Sequence, residues 1–404
     1  MSRVLAIHRY YWPDTPPYAS ILRAIAERWQ ATGHRVDVLA SQPSYKPEVI
    51  TEAPKIEQIN GVTVHRLRMR PDCSSRWRRV FNVGWFPLHV AWRIFVGPRY
   101  DVVMCSTVPP VLLGWAVSLV ARVRRARFVY HCMDLHPEIG RLSGEFSRGS
   151  VYRFLHRLEL ATCRRASAIV VLSEDMERAV IARDPALADR VVVLTNFELP
   201  DFGEGAETVS PVPARPDRFR VVFTGNLGRF QGLEAVARAV LTDDPALADV
   251  ELVLMGEGAA KAEIERLVAA AAPDVAARVV LVPHGSARAV RALLTTAQLG
   301  LVSLTPDVIR YAYPSKTATY LGAGLPVLVA VEPDSFLARS VLDHRVGGVL
   351  PVDDEAGARA ALADWAARRD ELPAMAERAS AYWREEYAAD RILPRWVELL
   401  EKIA

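Results

Sequence analysis

The sequence predicts an α/β protein with two doubly wound domains, each a parallel β-sheet covered by helices on both faces. Short unbroken apolar runs alternate with longer helical stretches almost to the end of the chain, a pattern typical of strands buried on both faces. The alternation stops only at residues 198–218, where four prolines stand among 21 residues. The length of 404 residues suits two or three domains.

The first domain is predicted over residues 1–197. Its strand candidates are β-branched runs at 4–7, 36–40, 62–67, 101–105, 128–131, 168–172 and 191–194. Helical patterns separate most of them, for example at 20–32, 111–125, 151–165 and 174–183. Strands that alternate with helices in this way indicate βαβ units.

The segment 198–218 is predicted to be a linker, because a stretch so rich in proline and glycine cannot pack a core. The second domain follows over 219–384. Its predicted strands are 221–224, 251–255, 279–282, 299–303 and 327–331. Its predicted helices are 232–241, 260–271, 287–297, 315–323, 335–344 and 355–368. The tail 374–404 is helical and has no strand partner.

Composition excludes several classes of protein. A chain that is 51% hydrophobic and 24% charged is neither disordered nor collagen-like. The net charge of +3 is too small for an overall nucleic-acid footprint. The cysteines form no CxxC pair, which excludes a zinc module and argues against a disulfide scaffold. We interpret Cys73, Cys105, Cys132 and Cys163 as small buried side chains.

Residues 102–121 carry no charge and are just long enough to span a bilayer. Pro109 and Pro110 interrupt the segment, so a buried strand, a turn and a helix that starts at the prolines fit better. The N-terminus lacks the apolar core of a signal peptide. We therefore expect a soluble-domain protein of the cytoplasm.

Two types of segment have the features of a phosphate site. Pro314-Ser315-Lys316 opens a predicted helix, and a helix start offers unpaired N–H groups with about half a positive charge. The alternative is a capped helix with a solvated lysine. Glycine-rich turns follow two strands, at 224–232 and 255–258, where glycine lets the backbone approach a diphosphate and Arg229 can pair with it. Neither turn is a dinucleotide fingerprint or a P-loop.

Taken together, these motifs resemble the nucleotide-sugar-binding domain of retaining glycosyltransferases of family 4, which have the GT-B fold. In chain order they are GNLG-x₂-QG from Gly225, VELVLMGEG from Val250, VPHGS from Val282, LGLVSLTP from Leu299, YPSK-x₃-YLGAGLPVL from Tyr313 and GVLPVDD from Gly348. In the first half RYYWPDTPPYAS, DVVMCSTVPPVLLG and YHCMDLHPE agree. The resemblance is nearest to bacterial members that build surface polysaccharides and lipid-linked oligosaccharides. It implies two Rossmann-like domains that face a central cleft.

The resemblance implies donor-binding residues in the second domain. Lys316, Ser315 and the Gly225–Gly228 loop would face the phosphates, and the Gly256–Gly258 and His284-Gly285 segments would line the base pocket. The donor-binding set is Gly225, Asn226, Gly228, Arg229, Gly256, Glu257, His284, Gly285, Tyr311, Pro314, Ser315, Thr319 and Glu332, with Lys316 as a catalytic residue. The donor is a nucleoside-diphosphate sugar, with UDP as the first choice of nucleotide.

The resemblance also implies an acceptor side in the first domain, with the last helix, 385–404, packed back on it. Asp134 is the second catalytic candidate, because a carboxylate just past a strand can orient or polarise an acceptor hydroxyl; the alternative is a helix or turn cap. The acceptor-side residues are Tyr11, Asp14, Tyr18, His131 and His136. The two histidines complete no metal-ligand set, and packing is the alternative for both.

The chain departs from the family pattern at several positions. Many members carry Glu-x₇-Glu, whose carboxylates hold the ribose and approach the sugar, where this chain has Tyr311 and Thr319. Asn226 and Gln231 stand where members often have Arg and Lys. Glu332, after a predicted strand, is a candidate substitute carboxylate; the alternative is an ordinary loop glutamate.

Residues 65–99 combine eight arginines and six large aromatic residues with a single acid. Arginine mixed with tryptophan suits a helix that lies at an anionic membrane surface. The predicted membrane face comprises Trp77, Arg78, Arg79, Trp85 and Trp92. The alternative is that the rings pack inside the first domain while the arginines are solvated.

The sequence thus predicts a retaining, metal-independent glycosyltransferase of the hexosyl or N-acetylhexosaminyl type. Its expected partners are a nucleotide-sugar donor, a lipid-linked or oligosaccharide acceptor in cell-surface glycan synthesis and an anionic membrane surface, with no nucleic acid. Its expected place is the cytoplasm, peripheral on the inner face of the cell membrane. The alternatives are a nucleotide-sugar epimerase or hydrolase, and a catalytically inactive sugar-nucleotide-binding protein.

Overall fold

A computed structural model of the chain describes residues 1–14, 17–43, 53–69, 76–146, 148–197, 209–351 and 354–404, with the side chains of 17 and 76–81 left aside. The chain divides into two compact units. The first comprises Met1–Leu199, Tyr311–Tyr313 and Ala389–Ala404, and the second comprises Pro200–Arg310 and Pro314–Ala388. Most of the predicted linker, 198–208, lies outside the described residues.

The first unit contains an eight-stranded sheet over the described residues, in the order β3-β4-β2-β1-β5-β6-β7-β8. Its strands are β1 (Arg3–Ile7), β2 (Arg35–Ser41), β3 (Ile56–Ile59), β4 (Val62–Leu67), β5 (Val102–Ser106), β6 (Arg127–His131), β7 (Ala168–Val171) and β8 (Val191–Val193). Neighbouring strands are parallel except β3 and β4. The sequence reading missed β3, because this edge strand is largely solvent-facing and carries no apolar run.

Helices cover both faces of this sheet, as the apolar strands predicted. They are α1 (Pro17–Ala31), α2 (Arg76–Val96), α3 (Leu112–Val123), α4 (Glu138–Leu142), α5 (Gly149–Arg165) and α6 (Glu174–Arg183). The uncharged segment 102–121 is a strand, a turn at the prolines and the start of α3, which confirms that interpretation. Within the described ranges, no helix is both long and apolar enough to cross a bilayer.

The second unit contains a six-stranded sheet over its described residues, in the order β11-β10-β9-β12-β13-β14, with all neighbours parallel. Its strands are β9 (Phe219–Thr224), β10 (Val250–Met255), β11 (Val279–Val282), β12 (Leu299–Ser303), β13 (Val327–Ala330) and β14 (Gly347–Val349). Its helices are α7 (Leu233–Val240), α8 (Lys261–Ala270), α9 (Pro273–Ala276), α10 (Ala287–Leu294), α11 (Lys316–Gly322), α12 (Phe336–Asp343), α13 (Glu355–Ala367) and α14 (Leu372–Glu386).

Each sheet has one point where the strand order reverses. In the second unit the chain runs outward from β9 through β10 to β11, then returns to β12 on the other side of β9. In the first unit the reversal lies between β1 and β5. Open parallel sheets bind ligands at the carboxyl ends of the strands beside such a switch point. The loops that follow β9 and β12, and those that follow β1, β5 and β6, are therefore the places to look for a site.

The last helix, α15 (Ala389–Ile403), belongs to the first unit and completes its core. Trp396 is 1% exposed within that core, and the indole Nε1 of Trp29 in α1 donates a hydrogen bond to its carbonyl at 3.0 Å. Burying a side chain of this size removes a large apolar surface from water. The tail that had no strand partner in the sequence thus packs against the opening helix of the chain.

A buried ion pair joins two strands of the second unit. Arg220 in β9 and Glu251 in β10 are register partners, and their Nε and Oε2 atoms lie 2.6 Å apart with both side chains almost fully buried. Arg220 also donates to Thr296 Oγ1 and to the carbonyl of Pro213. These bonds satisfy a guanidinium that would be costly to bury alone, and they attach the described end of the linker to the sheet.

The cysteines in the described part of the chain behave as predicted. Cys105, Cys132 and Cys163 are buried and free. Burial raises the pKa of Cys163 to about 12, with Glu159 adding to the effect, so the thiol stays neutral and packs as a small apolar group. Cys73 lies outside the described residues.

Candidate functional site

The loop after β9 and the loop after β10 are in direct backbone contact. The N–H of Gly225 donates to the carbonyl of Met255, and the N–H of Leu227 donates to the carbonyl of Glu257, both at 2.9 Å. A Cβ atom placed on Gly256 would lie 1.8 Å from the carbonyl oxygen of Gly225. Only glycine allows the two loops to come this close.

The two loops also contact each other two residues further on. A Cβ atom on Gly258 would lie 2.3 Å from the carbonyl oxygen of Leu227 and 2.7 Å from Oδ1 of Asn226. The Asn226 side chain also lies beside Gly228. Among the described residues no backbone acceptor takes the N–H groups of Asn226, Gly228 or Arg229. The glycine loops therefore present several N–H donors to a ligand.

Lys316 supplies a cation beside these donors. It is the first residue of α11, its Nζ atom donates to Oε1 of Gln231 at 3.1 Å, and the same atom lies 4.2 Å from the centre of the Phe223 ring. A Cβ atom on Gly225 would be 4.0 Å from Lys316 Cε. No carboxylate pairs with Lys316 within the described ranges. A cation next to free N–H groups favours a bound anion.

The environment of Lys316 also changes its acidity. Burial lowers the pKa of its ammonium to about 8, because a charged group is less stable away from water. The contact with the π face of Phe223 and the bond to the neutral amide of Gln231 stabilise the ammonium without neutralising it. The site can therefore supply a full positive charge below pH 8.

Tyr320, which was not among the predicted site residues, holds α11 against β9. The hydroxyl of Tyr320 accepts a hydrogen bond from the N–H of Thr224 at 2.8 Å. Tyr320 stands one helical turn after Lys316, so the two residues share a face of α11. This spacing could have identified Tyr320 from the sequence. Pro314 is buried, whereas the Ser315 side chain is exposed and makes no cap bond. Ser315 is thus placed to face a ligand.

The remaining donor-side candidates follow the neighbouring strands. Gly285 comes after β11, and a Cβ atom there would lie 2.2 Å from Met255 Cε, the flexible end of a side chain that would have to move. His284 is exposed next to it. Glu257 is exposed and pairs with Lys261 at 2.9 Å in a surface ion pair. The loops after β9, β10 and β11 thus lie side by side at one edge of the sheet.

The two positions that replace the family carboxylates differ in location. Thr319 is half-buried in α11 of the second unit. Tyr311 belongs to the first unit, where its carbonyl accepts a hydrogen bond from the N–H of Leu135 at 2.7 Å. The donor-side role of Tyr311 stays a prediction.

Glu332 stands in the loop after β13. Its Oε1 atom accepts a hydrogen bond from the N–H of Asp307. Its Oε2 atom is buried, and no described residue bonds to it. A buried carboxylate oxygen without a partner is costly unless a ligand or water satisfies it. Glu332 thus retains an acceptor for a hydroxyl donor.

Asp134 follows β6 in the first unit and forms an antiparallel bridge with Ala312. Burial raises the pKa of its carboxyl group to about 6. No side chain of the described residues donates a hydrogen bond to this carboxylate. A carboxyl group with a pKa close to neutrality is suited to take or return a proton.

Behind Asp134 lies a small buried polar network. The Tyr18 hydroxyl and Nδ1 of His131 are hydrogen-bonded at 2.8 Å, and the His8 ring lies 4.5 Å from the Tyr18 ring. Burial lowers the pKa of both histidines to about 3, so both are neutral at physiological pH. His8 also contacts Ser106 Oγ. The sequence reading missed His8 and Ser106, although one directly follows β1 and the other ends β5.

Three acceptor-side candidates are buried, and their roles stay predictions. Tyr11 is fully buried in the core of the first unit and Asp14 is 1% exposed. His136 is buried, and burial together with Arg183 lowers its pKa to about 4. Tyr11 packs within the hydrophobic core of the first unit, which accounts for its burial. His131 and Tyr18 likewise support the site from the interior.

The segment predicted to lie at a membrane surface contains helix α2, and its two described tryptophans are exposed. Trp85 is 44% exposed and Trp92 is 61% exposed, whereas Phe86 is buried. The Phe86 ring therefore packs inside the first domain, as the alternative predicted, whereas the rings of Trp85 and Trp92 do not. The side chains of Trp77, Arg78 and Arg79 lie outside the described residues.

No three metal-type side chains cluster in the part of the chain that the structure describes, and His131 and His136 form no such group. Metal independence stays a prediction. The described site residues thus comprise a cationic, N–H-rich edge in the second unit and a carboxyl group of raised pKa in the first.

Comparison with known proteins bears on this arrangement. Residues 18–197 match the family described as a glycosyl transferase 4-like domain. No curated protein matches the chain. Three solved structures are similar over nearly the full length, at low sequence identity. They are sucrose-phosphate synthase from Thermosynechococcus elongatus (16% identity, TM-score 0.73, 100% of this chain and 99% of that one), HepE from Anabaena in complex with UDP-glucose (15%, 0.69, 100% and 100%) and the lipopolysaccharide glycosyltransferase WaaG (14%, 0.65, 98% and 99%).

These likenesses establish the fold of the chain, which is GT-B, and the expected fold class is confirmed. The family match covers residues 18–197 and agrees there with the resemblance to family 4. It also supports glycosyl transfer as the activity.

Proposed function

We propose that this chain, a GT-B protein whose residues 18–197 form a glycosyl transferase 4-like domain, transfers a sugar from a nucleoside-diphosphate sugar with retention of anomeric configuration. The observation that carries the proposal is Lys316, a half-buried cation without a carboxylate partner among the described residues, beside the interlocked glycine loops. These groups stand at the strand-order reversal of β9 and β12.

The chemistry follows from charge. As the anomeric C–O bond breaks, negative charge grows on the leaving diphosphate, and donors already aimed at it lower the barrier. Lys316 and the N–H groups of Asn226, Gly228 and Arg229 are such donors. The exposed guanidinium of Arg229 adds a second cation. We assign no metal to this step, because the protein's own cations are available for the diphosphate.

The donor we favour is a UDP-sugar of the hexosyl or N-acetylhexosaminyl type. Among the similar structures, HepE is in complex with UDP-glucose and an E. coli protein is bound with UDP-2-fluoro glucose. Glu332, with its unpartnered Oε2 atom, takes over the hydroxyl-binding role of the carboxylates absent at Tyr311 and Thr319.

We assign the acceptor to the first unit. The acceptor hydroxyl attacks from the face that the diphosphate leaves, so the new bond keeps the anomeric configuration. The departing diphosphate accepts the hydroxyl proton, and Asp134 orients the hydroxyl. His131 and Tyr18 position the strand end that carries Asp134.

The acceptor we favour is a lipid-linked saccharide used in cell-surface glycan synthesis. The exposed Trp85 and Trp92 of α2 support a peripheral location on the cytoplasmic face of an anionic membrane. A lipid-diphosphate acceptor must be met at the bilayer surface, so the two assignments support each other.

The experiment is a thermal-shift screen with UDP, GDP, ADP and dTDP, followed by transfer assays with the matching sugar donors and a panel of lipid-linked acceptors. A nucleotide that binds only the native state raises Tm. We expect UDP to stabilise and a product of retained configuration to form only with acceptor. Donor consumption without acceptor would instead indicate an epimerase or hydrolase. Donor binding without turnover on every acceptor would indicate a sugar-nucleotide sensor.

A further inference from the structure

A groove lined by four arginines lies between α3 and α5 of the first unit, away from the candidate site. Its volume is about 370 Å³. Leu160 and Ala161 contribute its apolar lining, and the cations are Arg122, Arg157, Arg164 and Arg165. We call it the arginine groove.

The positive charge of the arginine groove is largely uncompensated. Arg122 and Arg157 are exposed, and no carboxylate of the described residues pairs with either. Arg165 donates to the carbonyl of Ala161 at 3.2 Å. Only Arg164 has an acidic partner, Asp184, with Nε and Oδ2 2.7 Å apart. Four like charges around one groove repel one another and favour a bound anion.

Helix electrostatics explain part of this cluster. Arg122 lies in the last turn of α3, and Arg164 and Arg165 lie in the last turn of α5, where cations stabilise the helix dipole. Arg157 lies two turns before the end of α5, so the dipole does not account for it. Helix electrostatics therefore do not explain its place beside the other three arginines.

Exposed apolar residues on the same two helices, which we call the apolar rim, point to the source of the anion. On α3, the exposed Leu119 and Val123 flank Arg122. On α5, Phe154 is 58% exposed and stands one turn before Arg157. A free phosphate or a nucleic-acid backbone has no use for exposed valine and phenylalanine at this spacing. A lipid headgroup with acyl chains beside it satisfies both the cations and the apolar rim.

The same surface continues onto the neighbouring helix. α3 packs against both α2 and α5. α2 exposes Trp92, Phe95 and Val96. Aromatic and aliphatic side chains that surround arginines are typical of a helical layer lying in the interfacial region of a bilayer.

We propose that the arginine groove binds the phosphate of an anionic phospholipid headgroup and seats the layer of α2, α3 and α5 on the membrane. This inference deepens the membrane part of the proposed function and rests on it. It assigns the headgroup contact to Arg122, Arg157 and Arg165, and the apolar contact to the rim.

The test is co-sedimentation of the full chain with vesicles of phosphatidylcholine mixed with phosphatidylglycerol. The double variant Arg122→Gln/Arg157→Gln should reduce the partition coefficient about 30-fold, the effect of removing two arginines near an anionic surface. The matched control is Arg35→Gln/Arg391→Gln, which removes the same charge from exposed positions of the same unit that lie outside the groove and outside α2, α3 and α5. The control should stay within about threefold of the parent. Unchanged circular dichroism spectra and melting temperatures of both variants show that both fold.

Three outcomes would overturn the inference. Equal losses in groove and control variants would show diffuse attraction without a site, and no loss in either would remove the role of the groove. If glycerol phosphate or a glutamate-rich peptide displaced the protein from the vesicles as effectively as competing vesicles do, the ligand would be a soluble anion or an acidic protein. If the protein bound vesicles as expected but transferred no sugar, only the proposed function would be rejected.

Discussion

The ammonium of Lys316 donates a hydrogen bond to the side-chain carbonyl of Gln231 at 3.1 Å. The partner is a neutral amide, so the bond fixes the direction of the cation and leaves its charge available. Gln231 stands where family members often carry a cation. In this chain Gln231 orients the Lys316 ammonium and adds no second positive charge.

Replacing the Gln231 amide by a carboxylate should make the charge of Lys316 unavailable to a diphosphate. Gln231→Glu would pair with Lys316, raise its pKa and repel a diphosphate. Titration calorimetry should show UDP affinity weakened by about 1.5–3 kcal/mol, the range for hydrogen bonds to charged groups. Gln231→Met, which keeps the length without a charge, should lose much less. Equal losses in the two variants would show that the charge of Lys316 does not bind the diphosphate.

Removal of the cation itself tests the transition state. Lys316→Ala should raise the barrier of sugar transfer by about 2–4 kcal/mol, the scale for one preorganised donor. The measurement is kcat/KM for transfer, with circular dichroism as the folding control. Full activity in a folded Lys316→Ala variant would show that the phosphate role of Lys316 is wrong.

The two perturbed groups predict a bell-shaped pH dependence of kcat/KM. Asp134 orients the acceptor as a carboxylate, so activity should fall as pH drops through about 6, the value to which burial raises its pKa. Lys316 acts as an ammonium, so activity should also fall as pH rises through about 8, the value to which burial lowers its pKa. Asp134→Asn should abolish the acidic limb and leave the alkaline one. An acidic limb that persists in this variant would assign it to another group.

The contact between the glycine loops provides a steric test. Gly256→Ala places a methyl group 1.8 Å from the Gly225 carbonyl oxygen, so the loops must separate and the UDP melting shift should disappear. Gly84→Ala is the matched control, because a Cβ atom there meets nothing within 4 Å. That control should keep the full shift. A normal UDP response in Gly256→Ala would show that loop contact is not needed for binding.

Much of the fold was predictable because buried parallel strands are apolar throughout. The ranges 62–67, 279–282 and 299–303 agree with β4, β11 and β12. The short edge strands β3 and β14 were not predicted, because β3 is mostly exposed and β14 is Gly347-Gly348-Val349, with almost no side-chain signal.

The site was predictable where it depends on local chain geometry and less so where it depends on tertiary contacts. Gly225 and Gly256 directly follow strands and Lys316 opens a helix, so each was a candidate from residue type and local position alone. The hydroxyl of Tyr320 on the Thr224 N–H joins residues 96 positions apart, and spacing along the chain does not reveal such a bond. The burial of Tyr11 in the hydrophobic core and of Asp14 at 1% exposure also arises from tertiary packing, which the sequence did not predict.

The most direct measurement is a crystal structure of the chain with UDP bound. The account predicts that the diphosphate oxygens lie within hydrogen-bond distance of Lys316 Nζ and of N–H groups in the Gly225–Arg229 loop. A complex in which the diphosphate is held by other residues, with Lys316 still bonded only to Gln231, would contradict it.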